Sequence, residues 1–411
     1  MTSSGPRRIA FPFAAVLVLA LSQAGCLWPG RGLARARWST DLAPLRLRGD
    51  TGTTDTIANG VLHRSFLVRQ EPWAVHVLDV DRGACWSVVA VKGGSGAAGR
   101  TATTALAAAL ARSAVVAGAV NADFFLFAPP GVPTGAHVSG GRVVTGPGAR
   151  PVLAVDSASR PWIGTLAVSG FAVSALDSIP VESWNRVVPA GLAWFDASYG
   201  QAVDTMTGTV RVVLSAMRGL VAAVDTGPGP TTIPSSGGVL VLGPRTPPPV
   251  RERLLLSARA RGRFDVTVGL RPFHPREAVG GFPVLARDSQ EVRGLDSAGS
   301  ATFAPVRHPR TIVGVATGGR RLLLITIDGR QPGYSAGATL REAARIALEL
   351  GATEAINLDG GGSTTMVVRR DAAAGPRFEV VNRPSDAQGE RAVGNAVGIA
   401  RSEERGAKRS C

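Results

Sequence analysis

Leu322-Leu323-Leu324-Ile325-Thr326-Ile327-Asp328-Gly329 and Ala355-Ile356-Asn357-Leu358-Asp359-Gly360-Gly361-Gly362-Ser363-Thr364 are the two stretches whose reading decides the fold. Each is a short apolar run that ends in Asp-Gly, the pattern of a buried strand entering a turn. Between them, Arg330 to Ala338 is rich in Gly and Pro and reads as a loop. Thr339-Leu340-Arg341-Glu342 has capping-box spacing, with Thr339 as N-cap. Leu340, Ala343, Ala344, Ala347 and Leu348 recur at helical spacing, and Gly351 stands where a C-terminal cap is expected. The expectation is a β-α-β unit over residues 321–359, with parallel strands and a right-handed crossover, in an α+β fold with a mixed-sheet core. Met366-Val367-Val368 leads away as a further strand.

If the two strands share a sheet, Asp328 and Asp359 stand at one carboxyl edge, where ligands of α/β sheets collect. Gly360, Gly361 and Gly362 add bare backbone that a ligand can approach closely. Arg310 and Arg330 lie nearby in sequence. Two Asp-Gly pairs alone are equally two plain turns. Together with three successive glycines and two arginines, they favour a site.

The chain also carries Asn121-Ala122-Asp123-Phe124-Phe125, Gly280-Gly281-Phe282-Pro283-Val284-Leu285, His308-Pro309-Arg310-Thr311, Asp328-Gly329-Arg330, Asn357 to Thr364, and Asn382-Arg383-Pro384. In this order the blocks closely resemble the phosphodiester glycosidase family, over roughly residues 70–400. The Asp-Gly-Gly-Gly-Ser block is the most specific of them. The resemblance implies a secreted hydrolase, without cofactor or metal, that cuts the C1–O bond of a sugar-1-phosphodiester. Such a site needs carboxylates for an oxocarbenium-like transition state and arginine donors for the phosphate. Asp328 and Asp359 are the expected acid/base or nucleophile pair, with their roles unassigned. Arg310, Arg330, Gly360, Gly361, Gly362, Ser363 and Thr364 are expected to bind substrate. Asn121, Asp123, Asn382 and Arg383 join them by their places in the family blocks. Two positions depart from the family pattern: Ala122 stands where Gly is usual, and Phe282 replaces a small residue.

Two other functions compete. Gly333-Tyr334-Ser335-Ala336-Gly337 matches the G-x-S-x-G of serine hydrolases, but no sharp strand-to-helix turn surrounds Ser335. A non-catalytic envelope protein that binds an anionic glycan would use the same arginines.

The net charge of +15 is almost all arginine, since lysine occurs only at Lys92 and Lys408. The arginines are scattered without basic runs or interleaved aromatics, so a nucleic-acid partner is not expected. Five dispersed histidines and three cysteines give no zinc spacing. Arg7-Arg8 followed by the apolar run Ile9 to Leu21 reads as a signal peptide over residues 1–25, which implies export to the periplasm, the medium or a lipid-anchored place in the envelope. Ala24-Gly25-Cys26 resembles a lipoprotein signal, so a lipid on Cys26 is the one expected membrane attachment.

Residues 26–60 read as a linker, 61–402 as the catalytic domain and 403–411 as a polar tail. Within the domain, 150–275 reads as a β-rich insertion or subdomain, with strands at Val210–Leu214 and Val239–Leu242. Pro244 to Val250 reads as a rigid exposed loop. A half-buried strand starts at Trp73, a helix covers 101–112, and Ala114–Val120 delivers Asn121 and Asp123 to a loop. Phe124, Phe125 and Phe127 read as packing residues.

Overall fold

The computed structural model describes residues 52–401, except 69–71, 205, 261 and 374. The signal peptide, Cys26 and the tail after Arg401 lie outside these residues. Of the expected linker, Gly52–Ala58 is a strand. Cys85 is disulfide-bonded.

The central element is an eight-stranded sheet in the order Gly52–Ala58, Val61–Val68, Trp73–Asp81, Arg321–Ile327, Arg310–Ala316, Glu354–Asn357, Val284–Arg287, Gln290–Glu291. Both faces are covered. On one, Val75, Val77, Ile312, Ile325 and Ile327 pack against Leu340, Ala343, Ala344 and Ala347 of the helix Leu340–Glu349. On the other, Leu78, Leu324, Val313 and Ile356 meet Val120, Met366, Val397 and Ile399 of a five-stranded sheet. The outer face of that second sheet is closed by the helix Thr103–Leu110, through Ala107 against Ala119 and Val367. This double cover explains why Trp73–Asp81 is buried along nearly its whole length, where alternation suggested a half-buried strand.

The expected β-α-β pairing is corrected. Arg321–Ile327 and Glu354–Asn357 do not pair, because Arg310–Ala316 lies between them and is antiparallel to both. Its run Thr311-Ile312-Val313-Gly314-Val315 is mostly β-branched, and only residues 317–320 separate it from Arg321–Ile327, so the two pair as a hairpin. Two strands antiparallel to one neighbour still run in the same direction. Asp328 and Asp359 therefore do follow strand ends at one edge of the sheet.

The middle region is β-rich. Seven strands between Ala167 and Arg271 close into a barrel, and Val210–Leu214 pairs with Gly238–Leu242 in its wall. Its first and last strands pair antiparallel, Ala167 opposite Arg271, so the barrel enters and leaves at one place. The proline-rich stretch is not a loop throughout: Pro248–Arg259 is a helix with proline in its first positions, where no amide hydrogen is needed, and it buries Leu254 and Ala258 in the barrel core. Strand Val115–Asn121 carries Asn121, and Thr339 caps its helix with the expected capping box.

Thr339→Ala should lower stability by about 1 kcal/mol, because the Glu342 amide loses its acceptor. Urea unfolding with an unchanged m-value checks this. No loss of stability would mean the cap is redundant.

Candidate active site

The register at the sheet edge brings the sequence blocks together. Arg310 pairs with Ile327 on one side, and Ile312 with Asn357 on the other. Pro309 is thereby flanked by Asp328-Gly329 and Asp359-Gly360: a Cβ on Gly329 would lie 2.8 Å from Pro309 N, and one on Gly360 2.5 Å from Pro309 O. Asn121, fully buried, ties this edge to the second sheet. Its Nδ2 donates to Asp359 O at 2.7 Å, and its Oδ1 accepts from Thr311 Oγ1 at 2.7 Å and Thr365 N at 3.1 Å.

The two edge aspartates differ in environment. Asp359 is half-buried and makes no ion pair within 4.0 Å among the described residues. Gly360 N donates to its Oδ1 at 2.9 Å, and Ser363 lies beside it without a well-formed hydrogen bond. Burial pushes its carboxyl up to about 6, against the pull of Ser363, Gly360, Arg391 and Arg150. Asp328 is fully buried. Its Oδ1 accepts from Asn382 Nδ2 at 2.8 Å, and its Oδ2 from Arg383 N at 2.8 Å and Tyr334 OH at 3.3 Å. Burial pushes it also to about 6. Asp123 is a third buried carboxylate, raised to about 7 by burial, and it feels the charges of Arg150, Arg186 and Asp359. Its Oδ2 accepts from Gly135 N at 2.5 Å, while Asn395 Oδ1 accepts from its own N–H at 2.9 Å. Gly280 must be glycine here, because a Cβ would stand 2.5 Å from Asp123 Oδ2.

The arginines sort by what occupies them. Arg310 is 1 % exposed and donates to three carbonyls: Ala338 at 2.9 Å, Phe303 at 2.6 Å and Val306 at 3.2 Å. Arg330 is exposed, with a left-handed backbone at φ 60°, and bonds His308 Nδ1 at 3.1 Å. Its guanidinium lies over Gly361, itself at φ 63°, where a Cβ would come within 3.1 Å. Arg391 is clamped by Asp386 at 2.7 and 2.9 Å, and the pair packs directly on Gly362. The triple glycine thus lets two guanidinium groups rest on the chain beside Asp359. Arg150 stacks between Phe124 and Phe282, 5.0 and 5.5 Å from their centroids, and its Nη1 is buried without a hydrogen-bond partner.

Sequence reasoning missed Arg150, Arg186, Arg391, Asp386, Tyr334 and Asn395. Tyr334 lies in the Gly333–Gly337 match, which singles out Ser335 alone; the other five sit in no recognisable motif, and only chain folding brings all six to the edge. Asn382 also donates to Thr364 O at 3.1 Å and accepts from Met366 N at 2.7 Å, while the Arg383 side chain stacks 5.3 Å over Tyr334. Thr364 is buried, and its hydroxyl has no partner. Ser335 is fully buried, with its hydroxyl donating to Asp328 O at 2.5 Å and accepting from Ala74 N at 3.1 Å, so it is a structural pin rather than an exposed nucleophile. Phe127 is 78 % exposed rather than packed. Phe282 stacks 6.2 Å from Phe303 and backs Arg150. Among the described residues, no group of three His, Cys, Asp or Glu side chains is placed to hold a metal ion, and no helix is long and apolar enough to cross a membrane.

Residues 212–400 match the family model described as phosphodiester glycosidase, which bears out the resemblance over that stretch. The Asn121 block lies outside it and the five later blocks within it. A hypothetical protein from Synechocystis has a similar crystal structure, with TM-score 0.70 and 21% identity over 86% of this chain, and this chain spans 64% of its length. A Burkholderia pseudomallei protein provisionally named as exported aligns at TM-score 0.59 and 27% identity, over 80% of this chain and 74% of that one. The catalytic domain of zebrafish N-acetylglucosamine-1-phosphodiester alpha-N-acetylglucosaminidase, auto-inhibited by its pro-peptide, aligns at TM-score 0.44 and 15% identity over 86% and 88%, too distant to carry an argument. No curated protein sequence matches the chain.

Because its folded carboxyl is raised to about 6, Asp359 favours folding below about pH 4 and loses that contribution as pH rises through 6. Asp359→Asn should therefore gain on the wild type by roughly 1–2 kcal/mol between pH 4 and 8, discounted for partial exposure. Denaturant unfolding of both proteins at the two pH values decides, and a constant difference would refute the raised pKa.

Proposed function

We propose that this chain hydrolyses the C1–O bond of a sugar-1-phosphodiester, for example of N-acetylglucosamine, outside the cytoplasm in envelope or exopolysaccharide metabolism. One observation carries the reading. Asp359 is an unpaired, half-buried carboxylate beside bare glycine backbone, and the charges of Arg150, Arg330 and Arg391 reach it. That arrangement suits a positive anomeric carbon on the carboxylate and a departing phosphate on the arginines. A phosphate leaves as a stabilised anion, so strong acid assistance is less necessary than for an ordinary glycoside.

In this reading Asp359 acts at C1. Asp328 works beneath the surface, where it orients Tyr334, Asn382 and the Arg383 backbone. Arg150 and Arg330 take the phosphate contact, since the donors of Arg310 at Nε and Nη2 already serve carbonyls. Arg310 instead holds the loop from Phe303 to Val306 against the strand edge. Ser363 and Thr364 are buried, so in this reading their hydroxyls stay within the wall of the site rather than meet the substrate. The N-terminal Arg7-Arg8 and apolar run support export, as does the name of the Burkholderia relative.

Asp359→Asn and Asp328→Asn should each lower turnover by orders of magnitude in a folded protein, assayed on the methyl diester of N-acetylglucosamine 1-phosphate. Wild-type rates in Asp359→Asn would sink the assignment. Arg150→Ala should raise KM at least tenfold, the loss of a charge-assisted contact of about 1.5–3 kcal/mol. Arg310→Ala should mainly destabilise, by roughly 2–4 kcal/mol, because three buried carbonyls lose their donor. Equal KM effects of the two would refute this division.

Hydrolysis in ¹⁸O-labelled water, with mass analysis of both products, locates the cut. Label in the free sugar supports C1–O cleavage. Label in the phosphate would make the protein a phosphodiesterase.

A further inference from the structure

Two buried histidines stand behind Asp328 and take no part in the site described above. His63 and His76 lie on adjacent antiparallel strands and are 5 % and 8 % exposed. Their rings stack 5.5 Å apart at 2°, with His63 Nε2 3.3 Å from His76 Nδ1. His76 Nε2 stands 3.8 Å from Asp328 Oδ2. At the other end His63 Nδ1 stands 3.9 Å from Asp55 Oδ2, on a side chain 49% exposed. Tyr334 OH, half-buried, donates to the same Asp328 oxygen at 3.3 Å. Tyr334, Asp328, His76, His63 and Asp55 thus form one file through the sheet, from the active-site edge to solvent on the Gly52–Ala58 strand.

We propose that His63 and His76 are positioning residues that carry a proton from Asp328 to solvent at Asp55 in each turnover. The inference rests on the hydrolytic reading given above. Water adds its oxygen to C1, and one of its protons remains on the sugar hydroxyl. The other is released, because the phosphate departs as an anion whose second pKa is about 6. Asp328 is sealed and cannot return a proton to bulk water directly. Tyr334 passes its own proton to Asp328 Oδ2 as it takes the one removed from water. Asp328 gives that proton to His76 Nε2, His76 Nδ1–H passes to His63 Nε2, and His63 Nδ1–H, buried and without a hydrogen-bond partner at rest, passes to the exposed Asp55 carboxylate as the 3.8 and 3.9 Å gaps at the two ends close. Each ring gains and loses one proton and ends as its other tautomer, so neither need stay charged, and a half-turn of each ring resets the file for the next turnover. That agrees with burial, which holds both imidazoles below their ordinary range, His76 at about 4. The charges around the file are Asp55, Arg370 (3.6 Å from Asp55 and paired with Glu379) and Arg383 beside Asp328. Thr326, opposite His76 in register, adds a buried hydroxyl without a partner.

The test compares His63→Gln and His76→Gln, which keep polar contacts but cannot exchange protons between two ring nitrogens. On the methyl diester, kcat should fall at least tenfold with KM within twofold. The rate above pH 6 should become dependent on buffer concentration and rise with added imidazole. Unchanged kcat and pH profile in both variants would overturn the path; if His76→Gln does not fold, His63→Gln decides. A second arm needs no turnover. In ¹⁵N spectra of the full chain, both imidazoles should shift together as Asp328 titrates near pH 6, and Asp328→Asn should abolish that shift. Rings that ignore the Asp328 titration would also overturn it. Failure of the hydrolytic reading is seen separately, as no release of sugar from the methyl diester by the wild-type protein, and the ¹⁵N arm then still decides the path.

Discussion

The antiparallel strand Arg310–Ala316 is the constraint on which the site depends. It pairs with Arg321–Ile327 on one side and Glu354–Asn357 on the other. Its own start then meets both of their ends, so Pro309 is bracketed by two Asp-Gly turns. A parallel pairing of the flanking strands would leave the carboxylates on one edge but remove Pro309 and Arg310 from between them. Arg310 in turn is bonded to the carbonyls that shape the neighbouring loop. A buried guanidinium with satisfied donors is stiff, and loss of it leaves acceptors unpaired.

The second constraint is polar and lies between sheets. Asn121 bonds to three segments and Asn382 to two, joining the second sheet to the Asp359 and Asp328 turns respectively. Amides suit this, because each offers two donors and an acceptor on a short side chain. The carboxylates are thereby buried deeply enough to titrate near neutrality, yet hydrogen-bonded enough to remain in place. Burial raises all three, and hydrogen bonds to them, with the arginine charges after, keep the rise limited. Groups poised between pH 6 and 7 are suited to moving protons at neutral pH.

The barrel of residues 167–271 bears on the site through Arg186. Arg186 follows the strand Ser178–Trp184 and donates to Gly135 O and Gly146 O at 2.7 and 3.0 Å, with its charge felt by Asp123. It thus links the barrel to the loop under the site. The aromatic trio Phe124, Phe282 and Phe303 works similarly from the other direction by backing Arg150 and Arg310. Phe282, the departure from the family pattern, has a concrete consequence here as one wall of the Arg150 stack.

By itself the sequence determined what is local. The apolar runs ending in Asp-Gly, the Thr339–Glu342 capping box and Gly351 after the helix depend on neighbours a few residues away, so they were legible and hold in the structure. The ordered blocks made the family resemblance legible too. The strand at Arg310 was missed, and with it the pairing, because a run of six β-branched and small residues does not announce its partners. Tertiary structure alone decided which charges are free. Arg310 and Arg150 read alike along the chain, yet one is tied to three carbonyls and the other is held between two rings with a donor unpartnered. The file from Tyr334 to Asp55 was likewise invisible, since it spans four segments of chain from 55 to 334. Local patterns follow from the period of the backbone, whereas exposure and partnership follow from contacts between residues far apart in sequence.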